Sequence, residues 1–201
     1  MRGILLGALL LASGTAHAAV VTWDGASGLT PDQIALPYTA IDDGTAPTLA
    51  AGELTIATGS NAANEFYIHN AADLAFTGAH TISFRMKVDS GSTGHISRGP
   101  AAVTFTTMSG VGQSLWLDTD EAFFSDIGVR GDSDSFAAGY HDFRIEIAGL
   151  ASGSAVSLFV DNVLLLSDTL FTSVADFGTA PRIAWGEFSA VAQGQSTWTF
   201  F

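Results

Sequence analysis

In the stretch TISFRMKV, residues 81–88, polar and apolar side chains alternate without a break. Successive side chains of a β-strand point to opposite faces of a sheet. This period of two therefore predicts a strand with its isoleucine, phenylalanine, methionine and valine on one face and its arginine and lysine on the other.

Similar short patterns recur along the chain, with turn residues between them. They cover residues 53–57, 65–69, 142–147, 156–160, 163–166, 182–188 and 197–201. The dipeptide Asp161-Asn162 fits a two-residue hairpin turn, because Asp and Asn tolerate left-handed backbone angles. Helical periodicity is weak, and about twelve to fourteen short strands are typical of an all-β fold, a two-sheet antiparallel β-sandwich. No repeat or composition break divides the chain, so we predict one domain over residues 19–201, with the last strand paired to a first strand around residues 20–23.

Residues 1–18 have the three parts of a secretory signal peptide. Arg2 supplies the positive charge, residues 4–12 form the apolar run, and AHA at residues 16–18 is an A-x-A-like cleavage site. The apolar run is shorter than the roughly 20 residues that cross a bilayer, which favours export with cleavage over a membrane anchor. We predict a mature domain in a periplasm or outside the cell, with no membrane insertion after signal cleavage.

The composition excludes several kinds of chemistry. The 201 residues include 7 basic and 20 acidic side chains, a net charge of −13, and no cysteine. A strongly acidic chain is unsuited to nucleic acid, because neutralising phosphates requires lysine and arginine. Without cysteine there is no disulfide framework, thiolate nucleophile or zinc–thiolate site. An exported domain of this composition must therefore be held together by its hydrophobic core.

The order of several strand-like stretches resembles that of a known family. The stretches are GELTI at 52–56, TISFRMKV at 81–88, HDFRI at 141–145, VSLFVDN at 156–162 and RIAWG at 182–186, with Trp198 near the end. The first two resemble the first half of a concanavalin A-like (laminin G-like) jelly roll, the next two its second half, and the rest its last strands. The resemblance covers most of the mature chain and implies a concanavalin A-like domain of an exported bacterial protein. It implies no single activity, since this fold carries lectins, glycanases and adhesive modules alike.

The strongest acidic cluster is DTDE at residues 118–121. If the preceding strand continued, Asp118 and Asp120 would project on the same face. Two carboxylates there can bind calcium or act as acid and nucleophile on a glycosidic bond, and a solvated turn is the plainer alternative. Glycanases of the resembled family carry a third acid on this strand, where the present chain has Ala122 and Phe123. We therefore predict no catalytic residue and keep calcium as the candidate ion at Asp118 and Asp120.

Sugar-binding sites in sandwiches combine an aromatic face with polar groups, because the C–H faces of sugars stack on rings while the hydroxyls form hydrogen bonds. Trp116 is the best candidate for an exposed platform, since alternation places it on the face of Asp118 rather than with its two leucine neighbours. Trp185 is a second aromatic candidate. His95 and Arg98 lie in a glycine- and serine-rich loop and are candidate polar contacts, with a loop salt bridge as the alternative for Arg98.

Three functions remain open at this point. The first is an exported, non-catalytic module that binds carbohydrate, such as a polysaccharide or glycan, or another extracellular ligand, with calcium as a candidate cofactor. The second is a structural or adhesive module of a cell envelope or matrix that has no small-ligand site. The third is a diverged glycoside hydrolase or lyase.

Overall fold

The computed structural model describes residues 22–58, 64–70, 78–91, 98–107, 109–125, 130–132, 136–170, 181–188 and 192–201. The described residues form two short 3-10 helices, Gly25–Ser27 and Pro31–Gln33, and fourteen strands. In chain order the strands are β1 (Thr39–Asp42), β2 (Thr48–Ala50), β3 (Glu53–Thr58), β4 (Glu65–Asn70), β5 (His80–Gly91), β6 (Ala101–Thr106), β7 (Gly112–Leu117), β8 (Glu121–Phe124), β9 (Arg130–Asp132), β10 (His141–Ile147), β11 (Ala155–Val160), β12 (Val163–Thr169), β13 (Arg182–Glu187) and β14 (Gly194–Phe200).

The strands form two seven-stranded sheets. Sheet I has the order β12-β11-β10-β5-β14-β3-β2, and sheet II has the order β1-β4-β13-β6-β7-β8-β9. Neighbouring strands pair antiparallel throughout. A large apolar cluster lies between the sheets. This arrangement confirms the predicted all-β, two-sheet antiparallel sandwich of the jelly-roll type.

The alternating stretch at residues 81–88 lies inside β5, which pairs with β10 on one side and β14 on the other. Its burial follows the predicted period of two. Phe84 is opposite Phe143 of β10, and their rings stack with centroids 5.0 Å apart and planes 5° apart. The strand therefore supplies one of the inner rows that hold the sandwich together.

The turn between β11 and β12 is the predicted two-residue hairpin. Asp161 and Asn162 have φ angles of 50° and 66°, the left-handed values that a hairpin turn of this length requires at both positions. The Asp161 carboxylate also accepts the backbone N–H of Asp142 at 3.0 Å. It contacts Nδ1 of His141 at 2.7 Å, which ties the turn to the neighbouring β10.

The predicted pairing between the two ends of the domain is confirmed at Trp23. Its N–H donates to the Phe201 carbonyl at 2.7 Å, and the Phe201 N–H donates back to the Trp23 carbonyl at 3.0 Å. Both side chains join an aromatic group between the sheets, in which the Trp185 ring lies 5.0 Å from that of Phe201 and 4.9 Å from that of Trp198.

Sheet II is buried on both of its faces at the centre. Every residue of β6 and β7 is buried. Ala102 and Trp116, on the outer face of these strands, belong to a second, smaller apolar cluster that is separate from the main core. A ligand-binding site on the outer face of sheet II can therefore be covered by other side chains instead of lying open to solvent.

The predicted signal peptide, residues 1–18, lies outside the described residues and stays a prediction, as do the predicted location and the single-domain boundary at residue 19. In the part of the chain that the structure describes, no helix is long and apolar enough to span a bilayer.

Candidate functional site

Two of the predicted site residues, Arg98 and Trp116, meet on the outer face of sheet II. The guanidinium carbon of Arg98 lies over the indole ring, 5.4 Å from its centroid, within the range of a cation–π contact. Strand β7 places Trp116 on this face, because its neighbours Leu115 and Leu117 point into the main core. The predicted separation of Trp116 from the leucines is thus confirmed.

The structure corrects the expectation that Trp116 is exposed, because only 1% of this residue is accessible to solvent. Alternation along a strand decides which face a side chain takes, but not whether that face is covered. Arg98 covers one side of the ring, and the indole N–H donates to the Ser125 hydroxyl at 3.3 Å. Arg98 is partly exposed and is therefore the more accessible of the two contacts.

Trp116 belongs to an aromatic group that we call the outer aromatic cluster, formed by Phe66, Trp116, Phe123 and Phe188. The ring of Phe188 meets that of Trp116 edge-on at 6.3 Å and that of Phe66 at 4.6 Å. Trp116, Phe123 and Phe188 are buried, whereas Phe66 is half-buried. The cluster therefore reaches the surface at Phe66, and the partly buried Arg98 covers it at Trp116.

Trp185 lies on the opposite face of sheet II, inside the sandwich. It is 0% exposed, and its ring packs between those of Trp23 and Tyr67, at 5.5 and 5.2 Å. The structure therefore does not bring Trp185 together with Trp116, and in this arrangement Trp185 is a core residue. His95, the remaining predicted ligand contact, lies outside the described residues.

The acidic stretch at residues 118–121 is a turn and not a continued strand. The β7 strand ends at Leu117 and β8 begins at Glu121, and the Asp118 N–H closes the turn by donating to the Glu121 carbonyl at 2.9 Å. Asp118 is 7% exposed, whereas Asp120 is exposed. The expected projection of both carboxylates on one face is therefore wrong.

The Asp118 carboxylate is held within the protein. It accepts the backbone N–H of Thr119 at 2.7 Å, and a side chain on Gly91 would clash with it, since a Cβ there would lie 2.3 Å from its Oδ1. Burial raises the pKa of Asp118, opposed by the Thr119 bond and reinforced by the charge of Asp120. Among the residues that the structure describes, no three His, Asp or Glu side chains are grouped to hold a metal ion. Calcium at Asp118 and Asp120 stays a prediction.

Two acidic residues that the sequence analysis did not single out are buried inside the sandwich. Glu65 is 0% exposed and Glu187 is 1% exposed, and they face each other directly across β4 and β13. The alternation along each strand could have predicted this burial, because Glu65 lies on the same face of its strand as the buried Tyr67 and Glu187 on the same face as the buried Trp185. Both carboxyl groups point away from the outer aromatic cluster.

A separate cavity of about 300 Å³ lies at the end of sheet I. Its polar lining residues are His80, Thr81, Glu146 and Ser157. None of its described lining residues is Trp, Tyr or Phe, so it has no large ring on which a sugar can stack. The outer aromatic cluster with Arg98 is therefore the stronger candidate for a sugar site.

Comparison with known proteins shows the fold and no family. No family model and no curated protein matches the chain. Among solved structures it is similar to the Crh5 transglycosylase, with a TM-score of 0.56 and 13% identity over 90% of this chain and 81% of that one. It is also similar to a carbohydrate esterase of the Shiga toxin-encoding bacteriophage phi24B, with a TM-score of 0.52 and 13% identity over 81% of this chain and 87% of that one. The binding domain of botulinum neurotoxin serotype C1 has a TM-score of 0.52 at 8% identity, over 90% of this chain and 47% of that one.

These similarities define the class to which the chain belongs. It is a jelly-roll β-sandwich, the architecture that these neighbours share with it. At such low identities the similarity extends to the fold, and one fold carries unrelated functions.

Proposed function

We propose that this chain is an exported, non-catalytic module that binds carbohydrate on the outer face of sheet II, at Arg98 and the outer aromatic cluster. The observation that carries the proposal is the contact between Arg98 and Trp116. The same cluster reaches the surface at the half-buried Phe66, three strands away across β6 and β13. A guanidinium group has five donors in one plane, which suits the hydroxyl groups of a sugar, and the exposed part of Phe66 offers an apolar surface for its C–H face.

The charge of the protein favours a neutral glycan over an acidic one. The chain has a net charge of −13, and the acidic turn at residues 118–121 follows directly after the strand that carries Trp116. Like charges raise the cost of bringing an anionic polymer to such a surface. Further support comes from the neighbours, since a transglycosylase and a carbohydrate esterase have a similar fold.

The proposed absence of catalysis rests on where the carboxyl groups lie. Hydrolysis of a glycosidic bond needs two carboxyl groups on either side of an accessible bond. Glu65 and Glu187 are buried, and Asp118 and Asp120 differ in exposure. Neither pair flanks an open cleft in this arrangement.

The experiment is a glycan array with the wild-type protein, followed by titration of the best neutral ligand against two matched variants. Arg98→Ala removes the contact with Trp116, and Arg144→Ala removes a similar contact on the other sheet, where Arg144 lies 4.2 Å from the ring centroid of Phe159. We expect Arg98→Ala to weaken binding by about tenfold, the loss typical of a charge-assisted hydrogen bond, and Arg144→Ala to leave it unchanged. Equal effects of the two variants, or no glycan bound by the wild type, would overturn the proposal.

Two further measurements separate the alternatives. Release of reducing sugar from a polysaccharide panel would indicate the glycoside hydrolase or lyase instead. Repeating the titration in calcium and in EDTA tests the prediction for Asp118 and Asp120, because a bound ion that orders the site raises affinity only when it is present. Equal affinities in the two buffers would remove calcium from the proposal.

A further inference from the structure

Tyr140 lies over the outer face of sheet I, on the side of the sandwich opposite the proposed glycan site. It comes just before β10, in phase with the exposed Asp142, and the register of β10 with β5, continued by one position, places it beside Lys87. The guanidinium carbon of Arg85 is 5.7 Å from the centroid of its ring, and the Lys87 Nζ is 5.3 Å from it. Both cations belong to the outward-facing row of β5, so they contact the ring from the side of the sheet.

The hydroxyl oxygen of Tyr140 is buried, although the residue as a whole is only half-buried. The hydroxyl group lies beside the carboxylate of Glu53 in β3, and burial together with this carboxylate raises the pKa of Tyr140. Glu53 and Lys87 are on strands that flank β14 on either side, so the side chain of Tyr140 extends across the face of the sheet. Solvent therefore reaches this residue at its ring and main chain and not at its hydroxyl group.

The two cations under the ring are paired with carboxylates of the same face. Lys87 Nζ is 2.7 Å from Oδ1 of Asp89, and Arg85 Nη1 is 2.9 Å from Oδ1 of Asp142. The Asp89 carboxylate also accepts a hydrogen bond from the Thr197 hydroxyl of β14. These contacts hold the groups beneath the ring in place, and the positive charge there is compensated.

An aromatic ring bordered by carboxylate and guanidinium groups suits a neutral sugar. The C–H face of the sugar stacks on the ring, and its hydroxyl groups form hydrogen bonds with the polar groups around it. The accessible polar groups are Asp142 and Arg85, whose side chains are 55% and 41% exposed. An anionic ligand is disfavoured, because both cations are already paired and the chain has a net charge of −13.

We infer that Tyr140 is the platform of a second sugar-binding site, on the outer face of sheet I, with Asp142 and Arg85 as the partners of the sugar hydroxyls. This site shares no residue with Arg98 and the outer aromatic cluster. Its consequence rests on the proposed function: a domain with one sugar site on each outer face can bridge two glycan chains, which raises the avidity for a polysaccharide above the affinity of either site.

The first test follows the ring signals of ¹³C-labelled tyrosine by NMR while the wild-type protein is titrated with cellotetraose, laminaritetraose and mannotetraose. The chain has three tyrosines, and Tyr38 and Tyr67 are only 2% and 3% exposed, so they serve as internal controls. We expect the Tyr140 signal to shift, with a dissociation constant in the millimolar range because a single ring contributes, and the other two to stay in place. An unchanged Tyr140 signal with all three sugars would overturn the inference.

The second test separates this site from the one at Arg98. In Arg98→Ala the Tyr140 shift should persist, and adding Tyr140→Ala should weaken the remaining binding by about tenfold. Tyr140→Phe, which keeps the ring, should retain that binding. Phe159→Ala, which removes a different ring from the outer face of sheet I, is the matched control and should also retain it.

The outcomes distinguish the two proposals. Loss of the Tyr140 shift in Arg98→Ala, or equal weakening by Tyr140→Ala and Phe159→Ala, would overturn the second site and leave the proposed function standing. A persistent Tyr140 shift with no loss of affinity in Arg98→Ala would do the reverse.

Discussion

Substitution of Gly186 in β13 tests how closely β13 and its neighbour β4 must approach each other. The φ angle of Gly186 is 131°, a value that residues with a side chain rarely adopt. A Cβ at this position would lie 2.6 Å from the Glu65 carbonyl oxygen and 2.8 Å from the Cα of Phe66. Gly186→Ala therefore requires the backbone of β4 to move away from β13, and both contacts are with main-chain atoms that cannot rotate aside.

Two costs add in this variant. Holding an ordinary residue in a sparsely populated backbone region costs about 1–3 kcal/mol, and the enforced separation strains the pairing of β4 with β13. We expect Gly186→Ala to lower the free energy of unfolding by about 3 kcal/mol, a large share of the roughly 5–15 kcal/mol that holds a domain folded. For a chain of this length, that corresponds to a fall in Tm of about 6–12 °C.

The assay is urea denaturation followed by tryptophan fluorescence, with Gly139→Ala as the matched control. A Cβ at Gly139 has no atom within 4 Å, so this variant should stay within about 0.5 kcal/mol of the wild type. If Gly186→Ala were also within about 1 kcal/mol, the close approach of β4 and β13 would not be required by the fold.

Three further variants probe other parts of the sandwich. Asn162→Val should destabilise the protein by about 1–2 kcal/mol in a thermal melt, because a β-branched residue does not tolerate the φ of 66° at this turn position; no change would mean that the turn can adopt another form. Trp185→Ala should cost about 3–5 kcal/mol in urea denaturation, since it empties a fully buried position among aromatic rings, and a loss below about 1 kcal/mol would contradict that packing. Arg85→Ala should change the same free energy by less than about 1 kcal/mol, because its ion pair with Asp142 is exposed, at 41% and 55% of the two side chains; a larger loss would reveal a role beyond the pair.

Features that depend on neighbouring residues in the chain could be predicted from the sequence. The period of two fixed the faces of β5, because a strand side chain has only two directions available. The Asp161-Asn162 turn was predictable since few residue types accept left-handed angles at both positions. An apolar strand such as residues 197–201 also needs a partner strand, which predicted the pairing of Phe201 with Trp23.

Features that depend on what covers a face could not be predicted in the same way. Alternation assigned Trp116 to the correct side of its strand, but its burial depends on distant parts of the chain, including Arg98. Asp118 and Asp120 differ in exposure because a turn, and not the expected continuation of β7, follows Leu117. Glu65 and Glu187 occupy the positions at which the alternation of their strands places buried residues. A charged residue is nevertheless ordinarily assigned to the surface. Their burial became evident only from the strand register.

The mutual backbone bonds of Trp23 and Phe201 have a practical use in protein engineering. A short peptide link between these two positions would join adjacent strands, so a variant that spans residues 23–201 can be closed into a ring and reopened elsewhere with little change in its contacts. The exposed Asp161-Asn162 hairpin offers a suitable place for the new ends. Such a circular permutant would carry a fused reporter on the side of sheet I, away from the outer face of sheet II.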